Sequence, residues 1–207
     1  MKVLLVNGSP HAQGCTYTAL NAIREQLAKE DIESVFLQLG TKPIQDCIAC
    51  NKCVKTGYCV FKDDCVNEGI DLFKQCDGVI VGSPVYYSGP SARLCAFLDR
   101  VCYCKSKPYA GKPAAAVVSC RRSGSTASFE RLNQFFAMNR MPIVTSQYWN
   151  AVHGNTPEEV MQDAEGLQTM RTLADNMAWL LRCIEAGKAA GIRYPEIEDW
   201  TPTNFIR

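Results

Sequence analysis

The chain has 207 residues, 47% of them hydrophobic, and a formal net charge of +1 at pH 7, values typical of a single α/β domain with a sizeable core. Its dispersed lysine and arginine residues exclude the strongly basic surface of a nucleic-acid or anionic-membrane binder. The apolar run at the N-terminus is too short for a signal peptide and no stretch approaches a membrane span, so we expect a cytoplasmic protein.

Strand and helix patterns alternate along most of the chain. A buried-strand run at residues 2–6 leads to an amphipathic helix at residues 16–29 and a second strand at residues 34–39. Beyond a cysteine-rich segment, the predicted elements are a short helix at 69–75, a strand at 78–81, a helix at 91–103, a strand at 113–119, a helix at 126–138, a strand at 143–147 and a long helix at 158–185. Five strands with crossover helices predict a parallel sheet with helices on both faces, a three-layer α/β sandwich.

The loop after the first strand is the most informative segment, and residues 7–18 have the sequence NGSPHAQGCTYT. Small and hydroxylated residues before a helix offer backbone N–H groups and the positive end of the helix dipole to an anion. The loop lacks both the lysine of a nucleoside-triphosphate site and the second glycine of the dinucleotide fingerprint. The hydroxyls of Ser9, Thr16 and Thr18 instead suit a phosphate monoester such as flavin mononucleotide (FMN).

Two further loops follow predicted strand ends: residues 82–90, GSPVYYSGP, and residues 118–124, VSCRRSG. Ligands in open parallel sheets bind beyond the carboxyl ends of the strands, so we expect all three loops to converge on one site. Tyr86 and Tyr87 are then placed to cover a flavin ring. The alternative is that the two tyrosines pack at a strand end or at a subunit interface.

The three loops together resemble those of the NAD(P)H-dependent FMN reductases and related iron–sulfur flavoproteins, and the resemblance extends to about Trp149. It implies a flavodoxin-like fold with FMN bound at these loops. The candidate cofactor-binding residues are Ser9, His11, Cys15, Thr16, Tyr17, Thr18, Pro84, Val85, Tyr86, Tyr87, Gly89, Ser119, Arg121, Arg122 and Gly124.

Three charged candidates in these loops have alternative interpretations. His11 either adds positive charge beside the phosphate or is a solvated loop residue. Arg121 and Arg122 either bind a flavin carbonyl edge or the 2′-phosphate of NADPH, or one of them is a surface arginine. His153 has no identifiable partner, and we assign it no role.

Twelve cysteines are unusual for a chain of this size, and in a reducing cytosol they are expected to serve as ligands, thiols or core residues. Cys47, Cys50, Cys53 and Cys59 concentrate four thiols in one short segment, a spacing that suits a metal centre. Here the resemblance to iron–sulfur flavoproteins implies a [4Fe–4S] cluster. Structural zinc and a loop without metal are alternatives, and Cys65 is an alternative to Cys59 as fourth ligand.

The other cysteines mostly lie in apolar or helical contexts, where a thiol behaves as a small hydrophobic group. We predict that they pack in the core, with Cys120 set apart because it lies in the third loop. These cysteines are Cys76, Cys95, Cys102, Cys104, Cys120 and Cys183.

Three functions are consistent with these features. The first is an FMN-binding oxidoreductase that takes hydride from NAD(P)H and reduces a flavin, quinone or other acceptor, for which we name no catalytic acid or base. The second is an iron–sulfur flavoprotein that passes single electrons through a [4Fe–4S] cluster to a small molecule or redox protein. The third is a non-catalytic flavodoxin-fold binding protein with structural zinc.

The predicted domain organisation has two parts. Residues 1–190 form a flavodoxin-like FMN-binding domain with a cysteine-rich insertion at 43–66, and residues 191–207 form either an extended C-terminal tail or a loose terminus. The family resemblance implies a homodimer or homotetramer in which a neighbouring subunit completes the flavin site.

Overall fold

A computed structural model of the chain describes residues 1–104, 107–199 and 201–206. Its strands are β1 (Lys2–Asn7), β2 (Glu33–Gln38), β3 (Gly78–Tyr86), β4 (Gly89–Pro90), β5 (Ala114–Cys120) and β6 (Ala151–His153). Five of them form a parallel sheet in the order β2-β1-β3-β5-β6, and β4 pairs antiparallel with the end of β3. This is the strand order of flavodoxin-like folds, so the predicted fold class is confirmed.

Helices cover both faces of the sheet. They are α1 (Cys15–Lys29), α2 (Lys52–Thr56), α3 (Val66–Gln75), α4 (Ala92–Tyr103), α5 (Ser125–Met138), α6 (Pro157–Val160) and α7 (Ala164–Ala189), with a 3₁₀ turn at Lys107–Tyr109. Successive residues of a strand point to opposite faces. Accordingly Leu4 and Val6 pack with α3, α4 and α5, whereas Val3 and Leu5 pack with α1 and α7. The predicted three-layer sandwich follows from this double burial.

The fifth strand does not lie where the sequence pattern placed it, and the prediction at 143–147 is wrong. There, Ile143 forms only an isolated bridge with Ala114, and the edge strand is β6. Between these two points Asn150 Nδ2 donates to the Ala116 carbonyl oxygen at 3.1 Å. A side chain thus replaces the backbone pairing that a continuous strand would have made with β5.

The long helix predicted at 158–185 is also wrong, because it is divided into α6 and α7. Asp163 lies between them and accepts hydrogen bonds from the backbone N–H of Gly166 at 2.9 Å and of His153 at 2.7 Å. The same carboxylate therefore caps α7 and holds the end of β6 beside it.

Beyond α7, the described residues 192–199 and 201–206 contain no helix or strand. Tyr194 lies against Gly111, and its hydroxyl donates to the Arg140 carbonyl oxygen at 3.4 Å. Trp200 and Arg207 of the predicted tail lie outside the described residues. In the described part of the chain, no helix combines the length and the apolarity needed to cross a membrane.

Replacement of Asp163 by Ala removes the cap of α7 and the bond to β6. We expect the free energy of unfolding to fall by about 1–2 kcal/mol, the usual cost of losing an N-cap. The measurement is chemical denaturation followed by circular dichroism. Glu185→Ala, which removes an exposed carboxylate from the same helix, is the control and should change stability by less than about 0.5 kcal/mol. Equal effects of the two substitutions would contradict the assigned role of Asp163.

Candidate functional site

The loop between β1 and α1 is held in place by the side chains of Asn7 and Gln38. Asn7 Oδ1 accepts from the Ser9 backbone N–H at 3.1 Å, and Gln38 Nε2 donates to the Ser9 carbonyl oxygen at 2.7 Å. The two amides also bond to each other at 2.6 Å. Ser9 is buried, and its Oγ accepts from the His11 backbone N–H at 3.1 Å while its own proton remains available for donation.

The N-terminus of α1 is open to an anion. Its N-cap residue is Gly14, which has no side chain to occupy the first backbone N–H groups, and the first turn carries no acidic residue. Burial raises the pKa of the Cys15 thiol, with Glu159 and Glu158 adding to the effect, so this side chain is neutral. His11 is exposed beside the same helix end.

Two of the predicted phosphate-binding hydroxyls are already hydrogen-bonded within the protein. Thr16 Oγ1 and Ser119 Oγ lie 3.0 Å apart, both buried, and join the first loop to the end of β5. Thr18 Oγ1 donates to the Gly14 carbonyl oxygen at 3.2 Å. The Tyr17 ring packs against Phe36, with ring centroids 5.3 Å apart. These contacts position the loop, and they leave an uncommitted proton on Ser9 and on whichever of Thr16 and Ser119 accepts the bond between them.

The second candidate segment is a hairpin and not a loop, because the third strand extends past the predicted 78–81 to Tyr86. Tyr87 and Ser88 form its two-residue turn, with φ of 49° and 60°, a left-handed conformation that costs energy for residues other than glycine. Tyr86 is half-exposed and Tyr87 is fully exposed. The hairpin therefore presents two aromatic rings outward on a strained turn.

The third loop packs against this hairpin. Gly124 has φ of +84°, and a Cβ atom there would lie 2.7 Å from the Ser88 Cα atom. Arg121 and Arg122 are exposed, and neither forms an ion pair with the residues that the structure describes. The backbone N–H of Gly8 also donates to the Gly82 carbonyl oxygen at 2.8 Å. The three predicted loops thus meet at the carboxyl edge of the sheet.

A second site lies in the cysteine-rich insertion, where one pocket is lined by all four predicted ligands. Cys47 and Cys50 are exposed, Cys59 is half-buried and Cys53 is buried. Cys65 is not part of the pocket; it precedes α3, and burial raises the pKa of its thiol. The residues that line the pocket are Cys47, Ile48, Cys50, Asn51, Cys53, Cys59, Val60, Phe61, Arg100, Tyr103 and Cys104.

The four thiols share this pocket without converging on one point. In the parts of the chain that the structure covers, no three cysteine, histidine, aspartate or glutamate side chains are grouped so as to hold a metal ion. The backbone nevertheless bends sharply around the thiols, since Ala49 and Asn51 on either side of Cys50 have φ of 51° and 58°. Asn51 Oδ1 accepts from the Tyr103 hydroxyl at 2.9 Å, which attaches this bend to α4.

Two pocket residues were missed by the sequence predictions. Arg100 is only 1% exposed, and its guanidinium bonds to both carboxylate oxygens of Asp64. Its burial acts to lower the pKa, but hydrogen bonds to Asp64 and Cys59 raise the pKa of Arg100 overall, so the charge is retained. Nothing in the sequence marks this arginine, because its partner is distant along the chain.

The second missed residue is Cys104, which was predicted only as a core thiol. It is buried, as predicted, but it also lines the cysteine pocket; burial is the main cause of its raised pKa, and the neighbouring Cys53 adds to the effect. Among the other predicted core cysteines, Cys76 is buried, Cys95 and Cys102 are half-buried, and the prediction is wrong for Cys183, which is exposed on α7. Cys120, which the sequence set apart because it lies in the third loop, is buried as well.

Comparison with known proteins identifies the family. A family model described as NADPH-dependent FMN reductase matches residues 1–156, which contain the three loops and the cysteine pocket. This chain belongs to that family. An iron–sulfur flavoprotein of Methanocaldococcus jannaschii is 32% identical over 195 residues, covering 89% of this chain and all of the relative. Membership of the FMN reductase family makes the chain a flavin oxidoreductase.

Solved structures agree on the fold of this FMN reductase family member. A flavone reductase superposes with a TM-score of 0.71 at 14% identity, covering 89% of this chain and 64% of the other. An archaeal flavodoxin superposes with a TM-score of 0.60 at 15% identity, covering 88% of this chain and 99% of the other. At these identities the likeness establishes the flavodoxin-like fold alone.

Replacement of Gly124 by Ala places a Cβ atom against Ser88 and Val85 and separates the third loop from the hairpin. We expect the dissociation constant for FMN to rise about tenfold, equivalent to about 1.4 kcal/mol. The measurement is a fluorescence titration of the apoprotein with FMN. Gly191→Ala is the matched control, because Gly191 has nearly the same φ, +83°, but open space around it. If both substitutions weaken FMN binding equally, loss of the contact between the third loop and the hairpin is not the cause of the weaker binding.

Proposed function

We propose that this protein is an FMN-dependent oxidoreductase that takes hydride from NAD(P)H and passes single electrons through a [4Fe–4S] cluster to a small-molecule or redox-protein acceptor. The observation that carries the proposal is the pocket shared by Cys47, Cys50, Cys53 and Cys59, in a chain that also has the three converging loops. The family description and the name of the relative from Methanocaldococcus jannaschii support the two cofactors.

The residues at the carboxyl edge of the sheet fit FMN. The uncapped N-terminus of α1 and the hydroxyl of Ser9 suit its phosphate, and the exposed Tyr86 and Tyr87 are placed to cover its ring. When bound, FMN accepts hydride and returns electrons to an acceptor. The chain has then to bind, orient and shield the ring, which requires no acid–base residue.

The two exposed guanidinium groups of the third loop favour NADPH as the hydride donor. Arg121 and Arg122 are exposed next to Gly124, where the loop meets the hairpin. A guanidinium presents several donors in a fixed fork, which matches the 2′-phosphate that distinguishes NADPH from NADH. We therefore propose that these side chains select the phosphorylated nucleotide.

The donor chemistry of the cysteine pocket suits an iron–sulfur cluster, although the four thiols do not converge on one point. It offers four thiols, the usual cluster ligands, with the apolar side chains of Ile48, Val60 and Phe61 around them. A [4Fe–4S] cluster supplies one-electron transfer, so two electrons from a flavin can leave one at a time. Because Cys59 lines the pocket and Cys65 does not, we propose Cys59 as the fourth ligand.

The two proposed cofactor sites lie at opposite ends of α4. This helix starts immediately after the hairpin and ends at Tyr103 beside the cysteine pocket. Its 12 residues span about 18 Å at 1.5 Å per residue. Because electron transfer slows with distance, this separation favours a homodimer or homotetramer in which the pocket of one chain faces the loops of a neighbour, and we include that assembly in the proposal.

The proposal is tested first by the absorbance spectrum and metal content of anaerobically purified protein. We expect flavin bands together with a broad iron–sulfur shoulder, and bleaching of the flavin bands by NADPH. Detection of zinc and not iron would show that the pocket is a structural metal site and not a cluster site. Failure of the protein to take up added FMN would overturn the flavin assignment.

Cys59→Ala and Cys65→Ala distinguish the two candidates for the fourth ligand. We expect the Cys59 variant to lose most of its iron, because it removes a thiol from the pocket, and the Cys65 variant to keep it. Iron and acid-labile sulfide are assayed after anaerobic purification. The assignment of Cys59 is wrong if the Cys65 variant is the one that loses iron.

The double substitution Arg121→Ala/Arg122→Ala should raise KM for NADPH at least about tenfold, the scale of one lost charge-assisted bond, and leave KM for NADH unchanged. The measurement is the initial rate of flavin reduction with each nucleotide. Arg131→Ala, an exposed arginine on α5 paired with Asp99, is the control. Equal effects on both nucleotides would place the arginines at the flavin and not at the 2′-phosphate.

A further inference from the structure

Arg100 is bonded directly to one of the proposed cluster ligands. Its Nε donates to Cys59 Sγ at 3.1 Å, and its Nη1 donates to the Gln45 carbonyl oxygen at 3.0 Å. The guanidinium also contacts both carboxylate oxygens of Asp64, and its central carbon lies 5.1 Å from the centre of the Phe61 ring. A single side chain of α4 thus holds four residues of the insertion.

These contacts restrict the Arg100 guanidinium to one orientation. The fork towards Asp64 fixes the plane of the group, and the bond to Gln45 together with the Phe61 ring fixes its position within the pocket. The fold therefore aims the Nε–H bond at the Cys59 sulfur. Burying the positive charge of Arg100 costs desolvation free energy unless an opposite charge lies beside it, and the Asp64 carboxylate supplies that charge.

We propose that Arg100 is a positioning residue that holds the Cys59 sulfur for the cluster and raises the cluster's reduction potential. Hydrogen bonds to ligand sulfurs and nearby positive charge favour the form that carries the additional electron. Asp64 opposes this effect with its negative charge, so the pair sets the potential by its balance. The inference rests on the proposed function, since it requires a cluster at Cys59.

The test is a redox titration of the anaerobic holoprotein with dithionite and mediators, followed by electron paramagnetic resonance. Three variants separate charge from the hydrogen bond. Arg100→Lys keeps a positive charge without the fixed fork, Arg100→Gln/Asp64→Asn removes both charges and leaves no unpaired ion in the core, and Asp64→Asn leaves the arginine charge unbalanced. Arg93→Gln is the control, because Arg93 lies two turns earlier on α4 and, among the residues that the structure describes, bonds to the Thr41 and Lys42 carbonyl oxygens, away from the pocket.

We expect the Arg100→Gln/Asp64→Asn protein to show about a tenfold lower ratio of reduced to oxidised cluster at a fixed potential, which for one electron is about 59 mV. Arg100→Lys should shift in the same direction by less, Asp64→Asn should shift in the opposite direction, and Arg93→Gln should match the wild type. A purely structural role for Arg100 predicts loss of iron without these opposite shifts.

Iron retention in the presence of a chelator is measured on the same proteins. Faster iron loss from both Arg100 variants than from Arg93→Gln supports the positioning role when the opposite shifts in potential accompany it, and contradicts that role when they do not. If the wild type holds a cluster and every variant keeps its potential, the role of Arg100 is overturned and the proposed function stands. If the wild type takes up no iron and sulfide under reconstitution, the proposed cluster function fails, and the role of Arg100 fails with it.

Discussion

The burial of a parallel sheet on both faces is the constraint on which the rest of the molecule depends. Val3 and Leu5 face one helical layer and Leu4 and Val6 the other, so β1 has no solvent-exposed side. All five parallel strands then end at one edge, and the segments after β1, β3 and β5 are forced together there. Thr16 and Ser119, 103 positions apart in the chain, meet for this reason.

The cysteine-rich insertion is held in place differently from the sheet, because it contributes no strand to it. Cys53 belongs to the core, and Ile44 packs against it. Polar contacts with α4 hold the rest of the insertion: Arg100 bonds to Gln45, Cys59 and Asp64, and Tyr103 bonds to Asn51. Each contact joins a loop group to a helix that the core already fixes. The insertion is therefore supported by the fold without being part of its sheet register.

The sequence predicted those features that local patterns encode. Apolar runs located β1 and β5. The spacing of Cys47, Cys50, Cys53 and Cys59 indicated a metal centre, and these four residues line one pocket without a grouping that could hold a metal ion among the described residues. Long-range polar contacts were not predictable. Asp64 and Arg100 are 36 positions apart, and only the packing of the insertion on α4 brings them together.

The wrong strand and the broken helix have the same physical cause. The apolar residues at 143–144 resemble a strand, but the Asn150 side chain takes the β5 hydrogen bond that would have continued it. Likewise the helical pattern at 158–185 continues through Asp163, but the Asp163 carboxylate accepts from the backbone N–H groups of Gly166 and His153 and so starts a new helix, α7. In both places one polar side chain forms hydrogen bonds with backbone groups that a continuous strand or helix would otherwise have bonded. Hydrophobic periodicity depends on apolar residues alone, so it does not reveal where a polar side chain competes with the backbone in this way.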